Sequence, residues 1–283
     1  MNKNKIGVVV DSTFKMNASF IQEKDIRVVY LDILVGDKTY KDGELTNDEI
    51  YAFMDKNIKV TTSQPAPNRF MNAYQSLLDD GYEHVICLTV SESLSGTFNS
   101  ANLAKGMLED PSKVTVFDTK SAICGAEFLA EALIQHIESE DSLEAILQAF
   151  LKTRDTGSLI FTVDDLMLLV KSGRLSKIQG MIGNLLKVKP ILRFDQGKLD
   201  VEHKVRTSEN VLKYLVSEVA KLADKAKTVV RVSFTTTSDM ADKFASEIKE
   251  KFDNVQVKVV DRISAVIAVH VGKAGLGIYL TNI

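Results

Sequence analysis

Val85-Ile86-Cys87-Leu88-Thr89-Val90-Ser91-Glu92-Ser93-Leu94-Ser95-Gly96-Thr97 is an apolar run that ends abruptly in hydroxyls and a glycine. Its first half is rich in β-branched residues and has no polar alternation, which predicts a strand buried on both faces, as in a parallel sheet. Just beyond it, Ala101, Leu103, Ala104, Met107 and Leu108 recur at helical spacing. Strand, polar turn, helix is the repeating unit of parallel α/β sheets, and ligands bind those sheets at the carboxyl ends of the strands. The Ser91–Thr97 loop is therefore a neutral hydrogen-bonding cradle in the expected place. A second hydroxyl-rich loop, Thr61-Thr62-Ser63-Gln64-Pro65, lies upstream. No Lys, Arg or metal-type ligand flanks either loop, so the expected ligand is held by hydroxyl and backbone donors.

The same rhythm continues outward. Ile6–Val10 is a β-branched run ending in the polar tip Asp11-Ser12-Thr13, and Val114–Phe117 ends in Asp118-Thr119-Lys120-Ser121. Leu31–Val35 and Lys38–Tyr40 around Gly36-Asp37 predict a hairpin. Thr46 with Glu49 is a capping-box signal for a helix reaching about Lys56. Further helices are expected over 68–79, 122–137 and 142–152. After Asp155-Thr156-Gly157 the pattern changes. Leu159–Val163 is a strand, Asp164-Asp165 opens a helix that Gly173 stops, and Ile191–Asp195 with Leu199–His203 forms a hairpin around Gln196-Gly197. Ser208 is placed to cap a long helix bearing Val211, Leu212, Leu215, Val216 and Val219 on one face. Strand 229–234, helix 239–252 and strand 255–260 follow. The chain closes on a strand-like Ala265–Val269, His270, a bend over Gly272–Gly277 and a last strand. The reading is an α/β protein of two domains, 1–156 with a mainly parallel sheet and 157–283 with a mixed sheet and helices.

At 283 residues two domains are the default, and 45% hydrophobic with 26% charged residues excludes a disordered chain. A formal charge of -3 gives no general attraction for nucleic acid or an anionic membrane. Ile6–Val10 is too short for a signal-peptide core, and no apolar stretch approaches the ~20 residues of a membrane span. The two cysteines, Cys87 and Cys124, read as buried thiols in a reducing compartment, which points to a cytoplasmic protein.

Each candidate site has a bland counterpart. Ser and Thr occupy turns because they bond their own backbone. Alternatively Thr62, Ser63, Ser95 and Thr97 converge on an oxyanion, with backbone donors from the helix after Gly96. The phosphate-binding G-x-x-x-x-G-K-[ST] and strand-linked G-x-G-x-x-G patterns are absent, and the glycines at 272, 275 and 277 do not replace them. A serine hydrolase would use Ser95 as nucleophile and His270 as base, but Ser93 and Thr97 stand where an elbow requires glycine. The scattered histidines 84, 136, 203 and 270 make no metal set. Lys171-Ser172-Gly173-Arg174-Leu175-Ser176-Lys177, with Lys204 and Arg206, is either a solvated basic turn or a dock for phosphate or an acidic partner.

Taken in order, Asp11-Ser12-Thr13, Thr62-Ser63-Gln64-Pro65, Leu94-Ser95-Gly96-Thr97, Asp118-Thr119-Lys120-Ser121, Val163-Asp164-Asp165-Leu166 with Gly173-Arg174, Lys189-Pro190, Val205-Arg206-Thr207 and His270-x-Gly272 resemble the DegV family of fatty-acid-binding proteins. The match is close to the acyl-carrying B subunits of bacterial fatty acid kinase. The resemblance implies a long-chain fatty acid enclosed between two α/β domains, the second contributing acyl pocket and His270. The carboxylate would be held by Thr62, Ser63, Ser95, Gly96, Thr97 and His270. It further implies no enzymatic activity for the chain alone and no cofactor. A separate ATP-binding kinase subunit would convert the carboxylate to an acyl phosphate, with Arg174 and Arg206 near that partner. Glu92, Ser93, Lys273 and Ala274 depart from the family pattern without touching the main ligands. The chain is expected to be a monomer by itself, with transient membrane contact allowed and no nucleic-acid partner. Alternatives are the Ser95–His270 hydrolase of acyl esters and a small-anion-binding regulatory module.

Overall fold

The computed structural model describes residues 2–175, 188–195 and 197–283. The chain opens with β1 (Ile6–Asp11), α1 (Ala18–Glu23) and β2 (Arg27–Val29), then β3 (Asp32–Val35), β4 (Lys38–Lys41), α2 (Asn47–Asp55) and β5 (Val60–Ser63). It continues through α3 (Pro67–Asp79), β6 (His84–Thr89), α4 (Thr97–Lys105), β7 (Val114–Asp118), α5 (Ile123–Ser139) and α6 (Leu143–Thr156). Strands β2-β1-β6-β7 form one wholly parallel sheet, and every residue of β1 is buried, as its unbroken apolar run requires. Val9 and Cys87 face α3 and α4, while Val8, Val10, Ile86 and Leu88 face α5. Gly7 lets α3 approach, since a Cβ there would stand 2.9 Å from Leu77 Cδ1.

The other half supplies β8 (Ser158–Val163), α7 (Leu166–Lys171), β9 (Lys189–Asp195), β10 (Lys198–Val205), α8 (Ser208–Ala223), β11 (Thr228–Phe234), α9 (Asp239–Lys251), β12 (Val255–Arg262), α10 (Ala265–Val271) and β13 (Gly275–Asn282). Its six strands lie in the order β10-β9-β8-β13-β11-β12, antiparallel except for the β11–β12 pair. This is the mixed sheet anticipated for the second half. Helix α5 packs between the two large sheets, so Leu129 and Leu133 share one core with Ile86 and Leu88 on one side and with Phe161 and Tyr279 on the other.

Several local expectations are corrected. The Thr61–Ser63 segment is not a loop. It is an edge strand of a small antiparallel sheet, β4-β3-β5, with Thr62 opposite Ile33 and Ser63 opposite Asp32. Threonine suits a pleated, half-buried surface as well as it suits a turn. Ala265–Val269 is helical rather than a strand, with Ser264 accepting from Ile267 N as its cap. A short apolar run carries no period that separates the two. Gly275 and Gly277 lie within β13, and of the three late glycines only Gly272 has a positive φ, at 77°. The cap of α8 is Thr207, one residue before Ser208. Of the apolar stripe expected for α4, Ala101, Ala104 and the following Leu108 face inward, whereas Leu103 and Met107 are exposed. The Thr46–Glu49 capping box, the 36–37 and 197 turns, and two buried free cysteines are as read. Ser176, Lys177 and Gln196 lie outside the described residues.

Candidate functional site

The carboxyl ends of β1 and β6 meet at Asp11. Its buried carboxylate accepts from Thr13 N at 3.0 Å, Thr13 Oγ1 at 2.5 Å and Val90 N at 2.7 Å, which ties the two strand tips together. Burial pushes its pKa up to about 6, and these hydrogen bonds hold it from going higher. The next hydroxyl, Ser12 Oγ, donates to Asp42 at 2.8 Å, and the other Asp42 oxygen accepts from Val266 N at 3.2 Å in the first turn of α10. Asp42 thus anchors a helix that also docks Val266 and Val269 on Leu31, just before β3, and on Ile33 of the small sheet. One turn beyond Val266, His270 faces β5.

Between these elements is a cavity holding about 570 Å³ of atom-free space, part of it open to solvent. Its walls are apolar, including Phe161, Leu169, Phe194 and Leu199, except for Thr13, Thr62, Ser95, Arg174 and His270. His270 Nε2 lies 2.8 Å from Thr62 Oγ1, and its Nδ1 is buried without a partner among the described residues. Burial, with the Arg174 charge adding to it, pushes the imidazole pKa down to about 4, so the ring is neutral at pH 7. Arg174 donates from Nε to Leu94 O at 3.1 Å and from a terminal nitrogen to Ser172 O at 2.5 Å. Burial lowers its pKa, and among the described residues no carboxylate acts against that change. Ser95 Oγ is 2.8 Å from Thr97 Oγ1 and accepts from Thr97 N at 3.3 Å. A half-buried guanidinium without a described counter-charge, the hydroxyls of Thr62 and Ser95 and a neutral imidazole in one apolar cavity suit a single anionic head on an apolar body.

Of the residues expected at the site, the structure brings together Thr62, Ser95 and His270. Ser63 is exposed, because side chains alternate along β5 and Thr62 takes the inward position. Thr97 is buried beneath Ser95 rather than lining the cavity. Gly96 is not part of the wall either: a Cβ there would fall 2.1 Å from Gln64 Oε1, the far end of an exposed side chain that can move aside. Arg174 belongs in the cavity, which corrects the view of a site without positive charge. Arg206 is exposed just after β10 and does not line the cavity. Thr13 is a wall residue that sequence reasoning left out, although its place at a strand's carboxyl end was a usable signal. The Ser95–His270 pair needed by a hydrolase is not formed, since each is bonded instead to a threonine. Among the described residues no group of His, Cys, Asp and Glu is placed to hold a metal ion.

The pattern defining the family described as "Uncharacterised protein, DegV family" matches residues 5–282 of this chain. The chain belongs to the DegV family. A DegV domain-containing protein of Staphylococcus aureus (strain MRSA252) is 32% identical over 275 residues, 96% of each chain. One of Halalkalibacterium halodurans is 32% identical over 279 residues, 97% of each. The solved structure of a fatty-acid-binding DegV family protein from Thermus thermophilus superposes with a TM-score of 0.90 at 28% identity, covering 98% of this chain and 99% of that one. The structure of DegV, a fatty acid binding protein from Bacillus subtilis, gives 0.87 at 30% identity with the same coverage. The α/β architecture, with its parallel and mixed sheets, is thus that of the DegV fold. Among the described residues no helix is long and apolar enough to cross a membrane.

Proposed function

We propose that this protein binds one long-chain fatty acid and presents its carboxylate to a separate ATP-dependent kinase subunit. The observation that carries the reading is the Arg174 guanidinium, paired with no described carboxylate, lining one apolar cavity together with Ser95, Thr62 and neutral His270. Support also comes from the fatty-acid-binding DegV proteins of Thermus thermophilus and Bacillus subtilis. The carboxylate takes hydrogen bonds from Arg174, Ser95 Oγ and Thr62 Oγ1. With its proton on Nε2, His270 donates to Thr62 Oγ1 and leaves the threonine hydroxyl proton for the ligand. A tail of ~15 methylenes contributes ~12 kcal/mol of gross transfer free energy at ~0.8 kcal/mol each, from which ordering costs are subtracted.

The chain has no phosphate-binding loop, so in this reading ATP belongs to the partner, and alone the protein is a carrier without catalytic activity or cofactor. A carboxylate oxygen attacks the γ-phosphorus, ADP leaves, and the acyl phosphate remains in the cavity. Exposed Arg206 is available to dock the kinase. In this reading the domains divide at 156/157, a division supported by the passage from the parallel to the mixed sheet between α6 and β8. Two buried thiols suit the reducing cytoplasm. Denaturing extraction of the purified protein followed by lipid mass spectrometry tests the reading, with one fatty acid per chain expected. Absence of stoichiometric fatty acid, together with failure to load any, overturns it.

A further inference from the structure

Across β8, β13 and β11, Phe161, Gly277 and Ser233 stand side by side in one row of the sheet. Two residues along, Val163 and Gly275 pair in the same way, and Thr235 N donates to Gly275 O. At these two rungs the central strand therefore carries only glycines, while its neighbours carry side chains, and Tyr279 follows next on the same face. The result is a trough along β13, with about 240 Å³ of atom-free space, part of it open to solvent. Ile123, Phe161 and Val271 wall both this trough and the cavity that holds Thr62, Ser95 and His270.

Neither glycine has a positive φ, so the backbone conformation does not demand them. At Gly275 the reason is local packing, because a Cβ would meet Thr162 O and Thr235 Cγ2 at 3.0 Å. At Gly277 it would meet only Ser233 Oγ at 3.3 Å and Phe161 Cβ at 3.6 Å, contacts that an alanine tolerates with a small displacement of the serine hydroxyl. Glycine weakens a strand interior and often marks close approach by a ligand. Ser233, 1% exposed, also lines this space, with its hydroxyl beside the Cys124 thiol.

We propose that the acyl chain passes between Ile123 and Phe161 and ends in the trough over Gly277, whose missing side chain sets the longest chain accepted. This rests on the fatty-acid reading above and adds the path and end of the tail. The delipidated full chain is loaded from an equimolar mixture of straight-chain fatty acids of graded length, and the bound chains are identified after denaturing extraction. Gly277→Ala is expected to deplete the longest wild-type ligand about fourfold, relative to shorter chains, per displaced methylene. Gly277→Val and Ser233→Val move the profile further, while total occupancy is kept by shorter chains. Ile278→Val, on the opposite face of β13 among the residues packed by α8, leaves the profile unchanged. Folded Gly277→Ala and Ser233→Val proteins with the wild-type chain-length profile overturn the proposal. A wild-type protein that takes up no fatty acid overturns the functional reading itself, a result distinct from an unaltered profile.

Discussion

Acidification from pH 6.5 towards pH 4 is expected to cost the ligand-free protein about 3 kcal/mol of stability that a His270→Gln variant does not lose. The imidazole has its ordinary value of 6.5 in the unfolded chain and is pushed down to about 4 in the fold, by burial first and by Arg174 second. Between those values the unfolded state binds the proton and the folded state does not. Stability therefore rises with pH across this window and is lost as pH falls, by ~1.4 kcal/mol for each pH step of one between the two values. Asp11 works in the opposite direction, because its carboxyl is raised from 3.8 to about 6 and acid relieves its buried charge. The difference between wild type and variant isolates the histidine from that background. Urea titrations of both proteins at several pH values supply the numbers, and glutamine retains a donor towards Thr62. A bound fatty-acid carboxylate favours the imidazolium, so the loaded protein should show a smaller difference. Parallel loss of stability in wild type and His270→Gln across the window would refute the account of a buried, neutral histidine beside an arginine.

Three further outcomes are expected. Arg174→Met should weaken fatty-acid binding about ten- to a hundredfold, the loss of a charge-assisted hydrogen bond, as read by titration of the delipidated protein with a fluorescent fatty acid. Unchanged affinity would confine Arg174 to holding Leu94 O and Ser172 O. Arg206→Ala should leave that affinity intact and impair acyl-phosphate formation with the cognate kinase subunit, measured by hydroxamate trapping; normal formation removes Arg206 from the docking surface. Gly157→Ala should destabilise the fold by roughly 2–3 kcal/mol in urea titrations, because the added methyl lands 1.7 Å from Tyr279 Oη; a smaller effect means that Tyr279 has room to move.

Much of the architecture could be read from the chain because its signals are local. The β-branched runs at Ile6–Val10 and Val85–Val90, the capping box at Thr46–Glu49 and the turn at Gly36-Asp37 each act over a few residues, and each element formed where expected. Errors arose where one local pattern serves two structures. Thr61-Thr62-Ser63 suits an edge strand as well as a turn, and Ala265–Val271 suits a capped helix as well as a strand.

By itself, then, the sequence determined an α/β chain with one parallel and one mixed sheet, hydroxyls at the strand ends, and no phosphate-binding loop. Those follow from side-chain volume, branching and capping chemistry along contiguous stretches. Only the tertiary structure decided which polar groups share the cavity. Thr62 and His270 are 208 residues apart, and Arg174 reaches Leu94 across 80. The pleat of β5 turns Ser63 outward, the packing of α10 on the small sheet aims His270 inward, and the pairing of three strands makes a trough of Gly277. Such juxtapositions depend on contacts between distant segments, and no local pattern encodes them.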